Sequence, residues 1–131
     1  MDKVTKSEQE WQAELDEETY RVTRLKGTER PYTGKYLDHN EQGQYVCVCC
    51  GSQLFNSTQK FDSHCGWPSF DQSIEGSVEY HKDLTLGMVR VEITCAKCDA
   101  HLGHIFEDGP TETGNRYCVN SVSLTFDDGS K

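Results

Sequence analysis

Two Cys-x-x-Cys pairs, Cys47/Cys50 and Cys95/Cys98, constrain what this chain can fold into more than any hydrophobic run does. Two intervening residues let both sulfurs of a pair face one ion at about 2.3 Å, so two such knuckles build a tetrahedral Cys-four zinc site. Residues 51–94 separate the pairs, more than the roughly 15 to 20 residues of compact zinc ribbons. A zinc ion here would therefore tie two distant parts of the chain together. Four protein ligands leave no open position for water, so the ion is structural. Gly51 follows Cys50 where a tight turn is wanted, which selects Cys47 and Cys50 as ligands over Cys49. Cys49 reads as a small apolar residue or a bystander thiol. The rival chemistries are a thioredoxin-like redox motif, which should open a helix in a βαβ setting that neither pair has, and iron–sulfur ligation.

The chain has 131 residues and an apolar content of 34%, low enough to make such a staple useful. Its length suits a single domain over residues 1–131, with residues 1–26 forming a helical segment that packs on a β core. With 22 acidic against 13 basic residues the net charge is -9, which argues against a nucleic-acid partner, because phosphate binding runs on Lys and Arg. No segment approaches the roughly 18 apolar residues needed to span a bilayer, and the first ten residues contain no apolar run. A cytoplasmic, monomeric protein without a membrane partner is expected. In that reducing compartment cysteines serve more often as metal ligands or redox catalysts than in disulfides, and the odd count of seven fits this.

Ser7 followed by Glu10 is a capping box, with Trp11 and Leu15 as the apolar stripe of a first short helix. A second helix starts near Asp16 with Tyr20, Val22 and Leu25 apolar, and Gly27 is its stop. Gly27 to Gly34 is turn-rich and extended. The Asn40–Gly43 turn between Tyr36-Leu37 and Tyr45-Val46 predicts a hairpin that runs into the first knuckle, after which Leu54-Phe55 resumes apolar character. Ser63 to Phe70 reads as a loop carrying Trp67 and Phe70. Val78 to Asp83 and Met88 to Thr94 predict strands around a Leu84-to-Gly87 turn, and residues 115–126 alternate as one closing strand.

In that closing strand Arg116, Cys118 and Asn120 share a face, and a cation beside a thiol favours thiolate. Cys118 then lies where the core opens toward a pocket. His101, His104 and His64 are candidate acids near neutral pH. Positions 101 and 104 point to opposite faces of a straight strand, so both reach one site only if the chain bulges or turns, and Gly103 is where that is expected. Otherwise one histidine serves the site and the other a structural hydrogen bond. Cys65 is the remaining thiol, beside Gly66, which frees the backbone. A thiolate that accepts oxygen becomes a sulfenic acid, and a second cysteine condenses with it to a disulfide. Trp67 and Phe106 offer flat walls for a small apolar group such as a methyl.

Five segments in this order resemble the B-type methionine sulfoxide reductases, which act on the R epimer: GTERPYTGKY (27–36), the first knuckle with Gly51 and Leu54-Phe55, FDSHCGWPSF (61–70), CAKCDAHLGHIFEDGP (95–110) and NRYCVNSVSL (115–124). The resemblance runs from about Trp11 to Phe126 and implies a mainly β (α+β) fold, two antiparallel sheets with short N-terminal helices, stapled by one zinc ion. It implies Cys118 as the catalytic cysteine and Cys65 as the resolving one. His101, His104 and Asn120 match catalytic positions, and Trp67, Phe106 and Arg116 match substrate-binding ones. Cys47, Cys50, Cys95 and Cys98 match the zinc ligands. The implied substrate is an oxidised protein or peptide bearing methionine-R-sulfoxide, with thioredoxin as reductant. His64 stands where a glycine is expected and would stiffen the Cys65 loop, and Cys49 is unusual in the knuckle. Two other readings stay open on the residues alone: a Cys118–histidine–Asn120 acyl-transfer triad, which leaves Cys65 unexplained, and a zinc-knuckle protein-binding module without catalysis.

Overall fold

A computed structural model describes residues 6–84, 87 and 89–128. Two short helices open it. Ser7 caps α1 (Glu8–Glu14), its hydroxyl accepting from the Glu10 amide while the Glu10 carboxylate accepts from the Ser7 amide. Asp16 caps α2 (Glu17–Thr23) through Thr19. Trp11 and Val22 turn inward, and Arg24, just past α2, lies over the Trp11 ring at 4.5 Å. The second helix stops at its cap Arg24, short of the expected stop at Gly27, and Leu25, read as one of its apolar residues, is exposed.

Among the described residues nine strands follow, in two antiparallel sheets. The smaller has the order β2 (Gln53–Asn56), β1 (Gln44–Cys47), β9 (Leu124–Asp127). The larger runs β3 (Lys60–Phe61), β4 (Ser69–Phe70), β8 (Arg116–Val119), β7 (His101–Phe106), β6 (Arg90–Cys95), β5 (Val78–Asp83). An aromatic core fills the space between them, with Phe55 stacked on Phe70 at 4.2 Å and Tyr45 edge-on to Phe70 at 5.2 Å. The mainly β architecture with short N-terminal helices agrees with the expectation from sequence.

Several local expectations are corrected. Tyr36-Leu37 is not a hairpin arm: the Tyr36 amide donates to the Ser121 hydroxyl, and its own hydroxyl accepts from the Phe126 amide. β1 instead pairs with β2 and β9. Residues 115–126 do not form one strand. β8 ends at Val119, a 3-10 turn at Ser121–Ser123 redirects the chain, and β9 joins the other sheet. Ser69-Phe70, read as loop, is a short strand that places Ser69 opposite Cys118. The strand expected from Met88 spans Arg90–Cys95, and Met88 itself, like Thr85 and Leu86 of the expected turn, lies outside the described residues.

Candidate functional site

Both knuckles sit where a strand ends, β1 at Cys47 and β6 at Cys95. They are built alike: the Cys47 carbonyl accepts from the Gly51 amide and the Cys95 carbonyl from the Asp99 amide, each at 2.8 Å. Gly51 (φ 78) and Asp99 (φ 65) both occupy the left-handed region, which glycine enters freely and aspartate tolerates. The four sulfurs lie within 4.8 Å of one another. Across the knuckles Cys47 and Cys98 are 3.5 Å apart, and Cys50 and Cys95 3.6 Å. Tetrahedral ligands at 2.3 Å would stand about 3.8 Å apart, so the set lies close to the spacing a metal ion needs. Cys49 stays outside the group and packs against the core. Arg24 ties α2 to the cluster through the Cys98 carbonyl at 2.9 Å.

The second site forms on one face of the larger sheet. Directly opposed residues of antiparallel strands share a face, and the pairings Glu92–His104, His104–Cys118 and Cys118–Ser69 make a row across β6, β7, β8 and β4. Phe106 pairs with Arg116 in the same way. His101 joins this face through a bulge: Thr94 opposes His101 while Ile93 opposes Gly103, so Leu102 is the extra residue. The two rings then meet edge to face at 5.7 Å. The bulge lies one position earlier than expected, because Gly103 is needed elsewhere: a Cβ there would strike the Cys118 carbonyl.

A cavity of about 220 Å³ opens on this face, lined by Cys65, Trp67, His101, His104, Phe106, Arg116, Cys118 and Asn120, with Thr28, Arg90 and Gly103 completing it. All eight side chains anticipated for catalysis and substrate binding therefore meet in one pocket. The Cys65 and Cys118 sulfurs stand 3.7 Å apart. At that separation either sulfur can donate a hydrogen bond to the other. The hydrogen bond from Cys118 pulls Cys65 down to about 4, helped by the Ser63 and Ser69 hydroxyls. The same hydrogen bond and burial push Cys118 up, opposed by Arg116. The pair thus carries one negative charge. Arg116 grips Asp108 with Nε and Nη2 at 2.8 and 3.1 Å and stacks over Phe106 at 4.6 Å.

Residues 15–128 match the family model described as the SelR domain. The chain belongs to the SelR family. A protein of Chromohalobacter salexigens named peptide methionine sulfoxide reductase MsrB is 59% identical over 130 residues, 98% of each chain. One of Hahella chejuensis with the same name is 61% identical over 127 residues, 96% of this chain and 91% of that one. Among solved structures, the Mis18 Yippee-like domain superposes with a TM-score of 0.53 at 17% identity, over 70% of this chain and all of that domain, and so shares the fold alone.

For a SelR protein with this pocket, the local support of each side chain matters as much as its presence. Asn120 is buried, its amide oxygen accepting from the Glu29 amide at 3.0 Å and its nitrogen donating to the Leu102 carbonyl at 3.0 Å. It bonds backbone rather than a histidine, which disfavours an acyl-transfer triad. Trp67 donates its indole N–H to the Glu29 carbonyl at 3.1 Å. The Glu29 carboxylate accepts from the Val122 amide at 2.9 Å. Burial pushes its carboxyl up, against the lowering pull of the Val122 and Ser121 amides. His101 Nδ1 meets Glu92 and His104 Nε2 meets Asp83, both at 2.7 Å. Burial holds His104 below its usual value; Asp83 opposes this and Arg90 adds to it. Glu29, Asp83 and Glu92 are the residues the sequence reading missed. An acid inside a turn or a strand resembles a solvated surface residue, and only the pairing across strands exposes its role.

His64 adopts φ 59 and its amide donates to Asp62 Oδ1 at 3.1 Å. It stands outside the pocket lining. Tyr32 straps the loop from outside, its amide donating to the Gly66 carbonyl at 2.7 Å and its hydroxyl to the His64 carbonyl at 3.0 Å.

Proposed function

We propose that this pocket reduces methionine-R-sulfoxide in proteins and peptides by a two-thiol cycle. The observation that carries the reading is the 3.7 Å approach of Cys65 and Cys118 in a cavity that also holds two histidines and two aromatic walls. The protein is a peptide-methionine (R)-S-oxide reductase, an oxidoreductase, as its SelR membership and its relatives at about 60% identity support. Cys118 passes its proton to Cys65 and attacks the sulfoxide sulfur as a thiolate. His101 or His104 protonates the sulfoxide oxygen and the S–O bond breaks. The oxygen released as water attacks the Cys118 sulfur as its bond to the methionine sulfur cleaves, giving the methionine thioether and a sulfenic acid on Cys118. Cys65 attacks that sulfur, water leaves, and a Cys65–Cys118 disulfide remains. A dithiol, read here as thioredoxin, accepts the oxidation and returns both thiols. Trp67 and Phe106 hold the methyl group, and Arg116 biases Cys118 toward thiolate.

The metal of the Cys47, Cys50, Cys95 and Cys98 cluster is read as zinc, chosen by four thiolates in tetrahedral spacing. Among the described residues no helix is long and apolar enough to cross a membrane, and the reading adds a cytoplasmic, monomeric enzyme. The test is turnover on separated R and S sulfoxides of one peptide with thioredoxin as reductant. Reduction of the R form alone is expected. Equal rates on both epimers, or none on either, would overturn the reading.

A further inference from the structure

We propose that Glu92 is a positioning residue for the reduction step: its buried carboxylate holds His101 by Nδ1 and so leaves Nε2 as the nitrogen this ring offers the pocket. The inference rests on the function proposed above. Glu92 is 5% exposed, and its Oε2 meets His101 Nδ1 at 2.7 Å. Among the described residues no hydrogen bond occupies His101 Nε2, whereas the ring itself is 4% exposed and cannot reorient without losing the Glu92 contact.

The location of Glu92 adds a second argument. Beside the catalytic cavity lies a recess of about 490 Å³ that shares Thr28, Arg90, His101 and His104 with it. Glu92 lines the recess and not the cavity. The two histidines are thus shared by both spaces, with Thr28 and Arg90. Glu92 approaches His101 from the recess, with the exposed Lys26 ammonium 3.4 Å from its other oxygen.

The two carboxylates behind the histidines are not equivalent. Asp83 is shared between His104 and Arg90, which lies 3.3 Å from the same oxygen. Glu92 serves His101 and, more loosely, Lys26. Burial works against its ionisation, but the His101 hydrogen bond and charge, with Lys26, hold its carboxyl below the usual range. The charged or titratable groups facing the Glu92–His101 pair are Lys26 after α2, His81, Lys82 and Asp83 on β5, Arg90 on β6, His104 on β7 and Cys118 on β8.

The experiment measures the first-turnover rate, as thiols lost on mixing the metal-loaded protein with a methionine-R-sulfoxide peptide without reductant, from about pH 5.5 to 9 for wild type, Glu92→Gln and Glu92→Ala. Glutamine keeps an acceptor for Nδ1–H but removes the carboxylate's charge. Its rate should fall about tenfold, with a pH profile that no longer overlays the wild type's and KM unchanged. Alanine should lose rate at every pH, and ¹⁵N spectra should show His101 in mixed tautomers. A glutamine variant whose pH profile overlays the wild type would overturn the proposal even if the alanine variant fails to fold. Wild type that reduces no sulfoxide would instead sink the proposed function and leave the His101 tautomer to be read by the same spectra.

Discussion

Sulfurs approach one another to nearly the same distance at two ends of this molecule, 3.5 and 3.6 Å across the knuckles and 3.7 Å between Cys65 and Cys118. Their surroundings separate them. At the knuckles, two matched turns and the strand ends of both sheets deliver four sulfurs to a common point, an arrangement positioned to hold an ion. In the pocket only two sulfurs meet, beside Arg116 and opposite a cavity, so their charge is available to a substrate. Four converging thiols make a brace; two thiols facing an empty space make a reagent. Spacing alone distinguishes nothing here, and access decides.

That contrast can be broken experimentally. Cys118→Ser should lower sulfoxide reduction by about a thousandfold or more while metal content stays at one ion per chain. Loss of the metal together with activity would mean that the two ends are not independent. Stripping the ion with a chelator should lower stability by on the order of several kcal/mol, read as a fall in the thermal midpoint that restored zinc reverses. Cys65→Ser should keep the first methionine released per enzyme yet stop thioredoxin-driven recycling, and full recycling would remove its resolving role. The smallest effect sharpens the comparison most. With Cys65 pulled down to about 4, its thiolate persists as pH falls, so its alkylation rate should stay flat from about pH 8 to 5 and drop only below. An ordinary thiol near 8.5 loses roughly tenfold per pH unit across that range. Metal-held cysteines should resist alkylation throughout.

Much of this was legible in the residues because it depends on short-range order. The capping box at Ser7 and Glu10, the strand Val78–Asp83, the four knuckle cysteines and the left-handed Gly51 are all settled within a few residues. Features decided across the sheet were not. Tyr36 reads as strand, but its amide and hydroxyl are claimed by Ser121 and Phe126 from the far end of the chain. The alternation of residues 115–126 continues through Asn120 although the backbone turns there, because both sheets demand the same period of two. The two histidines share a face only through a bulge at Leu102, whose place is set by the close approach of Gly103 to Cys118. A buried acid such as Glu29 looks polar and exposed until its three backbone and side-chain partners are known.

The position of β9 has a further consequence for how this molecule comes into being. β1 is the middle strand of the smaller sheet, and one of its two neighbours is made of the last described residues, with Cys47 paired to Leu124. A ribosome emitting this chain releases the first knuckle long before the strand that covers it. Contacts so distant along the chain form slowly, and until β9 arrives the strand that ends in Cys47 lacks one of its two neighbours. Completion of the brace is thus a late event, and a chain truncated before Leu124 would leave the first knuckle's strand with an open edge.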